Sequence, residues 1–84
     1  MENHQIEALL KDQLGLSEVY VKSDGSHFNI IAVSDKFADM SRVKKQQFVY
    51  APLAAEIASG NVHAVSIKTF TDAQWKREKL FNMP

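Results

Sequence analysis

The sequence has no cysteine, only three glycines, two prolines and one tryptophan in 84 residues, and its ten Lys and Arg are balanced by ten Asp and Glu. Each shortage excludes something. Without cysteine, neither a disulfide nor a thiolate metal site can staple a small domain. The glycines Gly15, Gly25 and Gly60 are too scattered to build a phosphate loop. A formal net charge of zero excludes a globally basic nucleic-acid clamp. No apolar run approaches the roughly 18 residues of a membrane span, and the opening MENHQIEALLKDQ lacks the apolar stretch of a secretory leader. A soluble, cytoplasmic chain without a membrane partner is therefore expected. There is no Ser or Cys nucleophile motif and no pair of carboxylates in an apolar setting, so no enzyme is expected either.

What is present is ordinary globular composition, 45% apolar and 24% charged. One domain over residues 1–84 follows, with a thin core, because folding at this length buries only roughly 60–65% of the unfolded surface. From Asn3 onward Ile6, Leu9, Leu10 and Leu14 recur at helical spacing, and Gly15 supplies a stop with Leu16 folding back. The period then drops to two. Val19 and Val21, followed by SDGS and HFNIIAV, predict a hairpin turning at Asp24-Gly25. A two-residue loop there pairs Val21 with Phe28, Val19 with Ile30, Tyr20 with Asn29 and Lys22 with His27. Residues 34–40 read as a turn with a short helical segment.

Val43, Tyr50, Leu53, Ala54 and Ile57 mark a second helix over about residues 41–58, with Arg42, Lys44 and Lys45 turned to solvent and a kink near residues 49–51 caused by Pro52. Residues 62–70 predict a third strand with Val65 and Ile67 on one face. Thr71 and Gln74 form a capping-box pair that opens a last helix through Trp75 to about Leu80. The order is α-β-β-α-β-α: an α+β domain of two layers, a three-stranded sheet covered by helices on one face. The third strand is reached through a helix, which makes a parallel pairing plausible by a right-handed crossover. The layout resembles the second topological class of KH domains, although the GXXG loop that clamps nucleotides in KH modules is absent.

Few residues could carry chemistry. His4 belongs to the first helical turn and is expected in solvent. His27 opens the second strand and His63 the third; each reads either as a metal ligand or as a partly buried polar side chain, His27 with a cross-strand contact to Lys22 or to the turn as its structural role. The stretch SRVKKQQ is the one local charge excess, with Arg42, Lys44 and Lys45 and no acid. It reads as a solvated helix face or as a weak, salt-sensitive nucleic-acid contact. Trp75 is expected to pack the last helix on the sheet.

DGSHFNIIAVSDKF, MSRVKKQQFVYAPLAAEI and VHAVSIKTFTDAQW together resemble the BolA-like family over nearly the whole chain, most closely its short bacterial IbaG branch, in which a segment similar to MSRVKKQQ occupies this place. The resemblance implies a KH-like fold and a non-enzymatic partner of monothiol glutaredoxins. Such a partner shares a [2Fe-2S] cluster in a heterodimer and serves iron-sulfur trafficking or iron homeostasis. It also implies the ligands: a His at the start of the third strand, here His63, and a His or Cys from the region between the first two strands, here His27. This chain departs from members with a long ligand loop, since its turn is short. A chain without thiolates can hold such a cluster only if a partner's cysteine and glutathione supply the remaining ligands. The alternative that the resemblance implies is a KH-like nucleic-acid-binding regulator using Arg42, Lys44 and Lys45.

Overall fold

A computed structural model describes residues 2–25, 27–62 and 64–82. Helix α1 (Asn3–Leu14) leads into strands β1 (Glu18–Asp24) and β2 (His27–Val33), and a 3₁₀ turn (Asp35–Asp39) follows. Then come α2 (Arg42–Tyr50), a 3₁₀ turn (Ala51–Leu53), α3 (Ala54–Ala58), β3 (Ala64–Phe70) and α4 (Asp72–Asn82). The sheet order is β1-β2-β3, with β1 antiparallel to β2 and β3 parallel to it. The element order and the parallel third strand agree with the sequence reading.

Local chemistry explains most boundaries. Gly15 ends α1 in the left-handed conformation at φ 62°, Leu16 is buried just beyond it, and the Lys36 ammonium donates to the Leu14 carbonyl at 2.8 Å. Ser41 caps α2 by accepting from the Lys44 amide. Pro52 breaks the second helix into α2 and α3 through the turn at Ala51–Leu53, as its missing N–H requires. At α4 the Thr71 hydroxyl accepts from the Gln74 amide while the Gln74 side chain accepts from the Thr71 amide, completing the capping box.

Several expectations are corrected. The hairpin closes on the pair Asp24 and His27, so the loop begins at Gly25 and not at Asp24. Gly25 has φ 63°, and a two-residue hairpin loop needs a positive φ at its first position in both favoured turn types. The register therefore shifts by two residues: Val21 pairs with Ile30, Val19 with Ala32, Tyr20 with Ile31 and Lys22 with Asn29. An even shift keeps every side chain on its predicted face. In the second helix Val43 and Tyr50 are exposed, at 66% and 41%, while Val49 and Leu53 are fully buried. The core-facing stripe runs through Phe48, Val49, Leu53 and Ile57, and Val43 and Tyr50 lie about 100–120° around the axis from Val49. Strand β3 is described from Ala64, later than expected, because the amides of Asn61 and Val62 both turn back to the Glu56 carbonyl and finish α3.

The main core lies between the sheet and α1, α2 and α3, with Ile6, Leu10, Ile30, Phe37, Val49 and Leu53 among its buried members. A second, smaller cluster lies on the other face, where α4 sets Trp75 against Ile31 and Val33 with Tyr20 and Phe70 around it. This corrects the expected cover of helices on one face only, because the odd-numbered apolar residues of β2 also need burial and the last helix supplies it. Both sheet edges are capped by helix side chains. Glu7 accepts from the Val21 amide at 2.9 Å on the β1 edge, and Gln46 donates to the Ile67 carbonyl at 3.2 Å on β3. Each satisfies a backbone group that could otherwise template another strand.

Candidate functional site

The face carrying Trp75 is covered only at one end. Toward the hairpin it is open and polar, with Lys22, Asn29, Ser66 and Lys68 exposed. His27 begins the central strand at this open end, half-buried, with Asp24 across from it on β1 and Ala64 on β3. Its Nε2 lies 2.8 Å from the Ser66 Oγ. The expected contact with Lys22 is replaced by this one, because the register shift moves Lys22 opposite Asn29 and the parallel neighbour brings a hydroxyl within reach.

His63 lies outside the described residues, so its side chain has no place in this geometry. What the topology supplies is its neighbour in sequence: Ala64 opens β3 directly beside His27. The parallel pairing thus brings the start of β3 and the start of β2 to one end of the sheet, the condition for two histidines at those positions to serve one site. Among the described residues, no three His, Cys, Asp or Glu side chains come together as a metal site.

Chemically, His27 brings one imidazole and Ser66 one hydroxyl to this end of the sheet. A neutral imidazole has one N–H and one lone pair, and histidines that bind metals commonly hold their second ring nitrogen in a hydrogen bond to oxygen. Ser66 provides that oxygen.

The basic stretch lies elsewhere. Arg42 and Lys44 are exposed and Lys45 is half-buried in the first turn of α2. Arg42 and Lys45, with Gln46, line a groove against Lys68, Thr69 and Phe70 at the β3 edge, and an adjoining groove adds Arg77 and Glu78. Residues 67–70 lie about 10–20 Å along β3 from Ala64, so the basic side chains and His27 do not form one site. Lys68 and Arg77 escaped the sequence reading because only the sheet edge brings them to α2.

At the covered end, Trp75 is 2% exposed, with Tyr20 at 5.4 Å and Phe70 at 5.2 Å between ring centroids. Trp75 packs the last helix on the sheet, as expected. Its indole N–H is buried and meets no acceptor at hydrogen-bond geometry among the described residues, although it approaches the Tyr20 phenol. The Tyr20 hydroxyl donates to the Glu18 carboxylate. That hydrogen bond, then burial and the negative charge of Glu18, raise the phenol above its ordinary 10.0, and the Trp75 N–H offsets only part of the rise. The fold thus favours the neutral phenol, and the stabilisation is full below the unfolded-state value and lost as pH rises through the higher folded-state value. Urea midpoints of wild type and Tyr20→Phe should therefore converge as the pH is raised from neutrality past the phenol's ordinary 10.0, the variant lacking the alkaline loss due to Tyr20. Parallel pH profiles of the two proteins would refute the effect.

A family model described as BolA-like protein matches residues 3–74. The acid stress protein IbaG of Escherichia coli strain K12 is 54% identical over 82 residues, spanning 98% of each chain. Among solved structures, the BolA1 protein of Mus musculus superposes with a TM-score of 0.75 at 30% identity, covering 90% of this chain and 69% of that one. The BolA domain of SufE1 from Arabidopsis thaliana gives a TM-score of 0.73 at 35% identity, covering 84% of this chain and 92% of that one.

Proposed function

The chain belongs to the BolA-like protein family, and from that membership we propose that it works in the cytoplasm without catalysis, sharing a [2Fe-2S] cluster with a monothiol glutaredoxin and glutathione. The observation that supports this most is the parallel register in a chain with no thiolate. It sets Ala64, next to His63, across from His27 at an open end of the sheet. His63 and His27 are the proposed ligands of this chain. Imidazole gives an iron centre a higher potential than thiolate does, and a proton can remove it. A cluster held in this way is suited to being handed on.

The test is to mix the protein with a monothiol glutaredoxin under cluster-reconstituting conditions and record visible absorption and circular dichroism. A spectrum distinct from that of the glutaredoxin homodimer is expected, with the isolated chain colourless. A stoichiometric chromophore on the isolated chain, or an unchanged glutaredoxin spectrum, would overturn the proposal. Because protons and iron compete for the same imidazole lone pair, acidification should release the mixed cluster before the all-thiolate one. The relative named an acid stress protein makes this titration the pertinent one. Equal acid lability of the two species would remove imidazole from the ligand set.

The alternative, nucleic-acid binding through Arg42, Lys44 and Lys45, draws support from the groove that Arg42 and Lys45 share with Lys68. Three phosphate contacts give a log-log salt slope of only about −3, and hence weak binding at physiological salt. Submicromolar, sequence-selective binding lost on replacing all three by alanine would reverse the order of the two proposals.

A further inference from the structure

We propose that Ser66 is a positioning residue for His27, accepting the Nε2 proton so that the Nδ1 lone pair is left for iron; the ligand part of this rests on the shared-cluster proposal. A histidine at the mouth of an open sheet has a soft second side-chain torsion, so its ring needs an external partner to point in one direction. Serine has a single heavy-atom torsion, and Ser66 is carried on the hydrogen-bonded neighbour strand, paired across from Asn29. Its Oγ stands 2.8 Å from Nε2, within normal hydrogen-bond range. The contact spans 39 positions in sequence, so only the folded sheet creates it.

The hydroxyl could serve either tautomer, and the two differ in what they leave over. If Ser66 donates to Nε2, the remaining nitrogen is Nδ1–H and the ring has no lone pair left for a metal. If Ser66 accepts from Nε2–H, Nδ1 is unprotonated and the ring plane is fixed. Only the second arrangement makes His27 a ligand held ready before the partner arrives, as outer hydrogen bonds do for metal-bound histidines in general.

Two measurements separate this proposal from the one beneath it. On the ¹⁵N-labelled chain alone, at about pH 8 where histidines are ordinarily neutral, long-range nitrogen–proton correlations should show His27 as the pure Nε2–H tautomer. Nuclear Overhauser contacts should join its ring to the Ser66 β-protons. Ser66→Ala should lose the single ring orientation and mix the tautomers, while Ser66→Thr, which keeps a hydroxyl, should restore both. With glutaredoxin, Ser66→Ala should lose the mixed cluster to a chelator about tenfold faster than wild type, again with rescue by threonine. A His27 ring in the Nδ1–H form, or a folded Ser66→Ala chain with wild-type ring signals and wild-type cluster loss, would overturn the role of Ser66. An Nε2–H ring in a wild-type chain that takes up no cluster with any monothiol glutaredoxin would overturn the shared-cluster proposal and the ligand role of Nδ1, and would leave Ser66 as a structural partner of His27.

Discussion

His63→Ala is expected to leave a folded chain that no longer supports the mixed cluster spectrum with a monothiol glutaredoxin, whereas His27→Ala should weaken or alter that spectrum without removing it. The asymmetry comes from two sources. The resemblance to the BolA-like family implies a cluster-ligating histidine where the third strand begins, and His63, next in sequence to Ala64, is the residue proposed for that role. The second ligand varies in type and position within the resemblance, and in this chain the short hairpin leaves His27 at the first position of β2. His27 also keeps a protein partner in Ser66, so its ring has a structural role as well. The comparison requires both variants to match wild type in far-ultraviolet circular dichroism before reconstitution. A wild-type mixed spectrum from folded His63→Ala would remove His63 from the site. Complete loss from His27→Ala with retention in His63→Ala would invert the ranking.

How far the sequence could lead is clearest in the hairpin and the second helix. Alternation of Val19 and Val21 with polar neighbours placed β1 on the correct face, yet the turn dipeptide misled the register, because both Asp24-Gly25 and a loop beginning at Gly25 contain the same favourable glycine. Gly25 has a positive φ in either loop; what decides is Asp24, which has no positive φ and so cannot be the first residue of a primed turn, and that choice has no signature in the sequence because Asp tolerates both conformations. In the second helix, Pro52 announced the break. The face was harder, since Val43, Phe48, Val49 and Tyr50 cover more than half of the circumference and only packing against the sheet selects among them. The site divides in the same way. His27 and the basic stretch were visible as residue types, whereas Ser66, Lys68 and Arg77 acquire meaning only when β3 runs parallel to β2 with α2 along its edge. Such partners lie tens of residues away, beyond any local pattern.

Trp75→Ala should be the most damaging single core substitution on the α4 side, costing about 3–5 kcal/mol. The indole is nearly fully buried, two aromatic rings pack against it, and its cluster includes Ile31 and Val33 of the central strand. Removing it exposes one face of β2 while the opposite face still belongs to the main core, so the loss falls on the element that both layers share. Small domains have only about 5–15 kcal/mol of stability in total, and each kilocalorie shifts the melting temperature of a chain of this size by about 4–8 °C. A drop of at least about 12 °C is therefore expected. Since Trp75 is the only tryptophan, melting must be followed by circular dichroism and not by intrinsic fluorescence. Phe81→Ala is the matched control: a large apolar residue of the same helix, but 83% exposed, expected within about 0.5 kcal/mol of wild type. Hydrogen exchange distinguishes two ways in which the substitution could act. If α4 and the sheet form one cooperative unit, protection should fall together in α4, β2 and β3. If only α4 detaches, its amides alone should lose protection while the main core keeps its own, and the global midpoint should then move far less than the area buried by the indole implies. The position of Ile31 and Val33 on the central strand favours the first outcome, and a Trp75→Ala midpoint matching that of Phe81→Ala would show that the second face contributes little to the stability of the sheet.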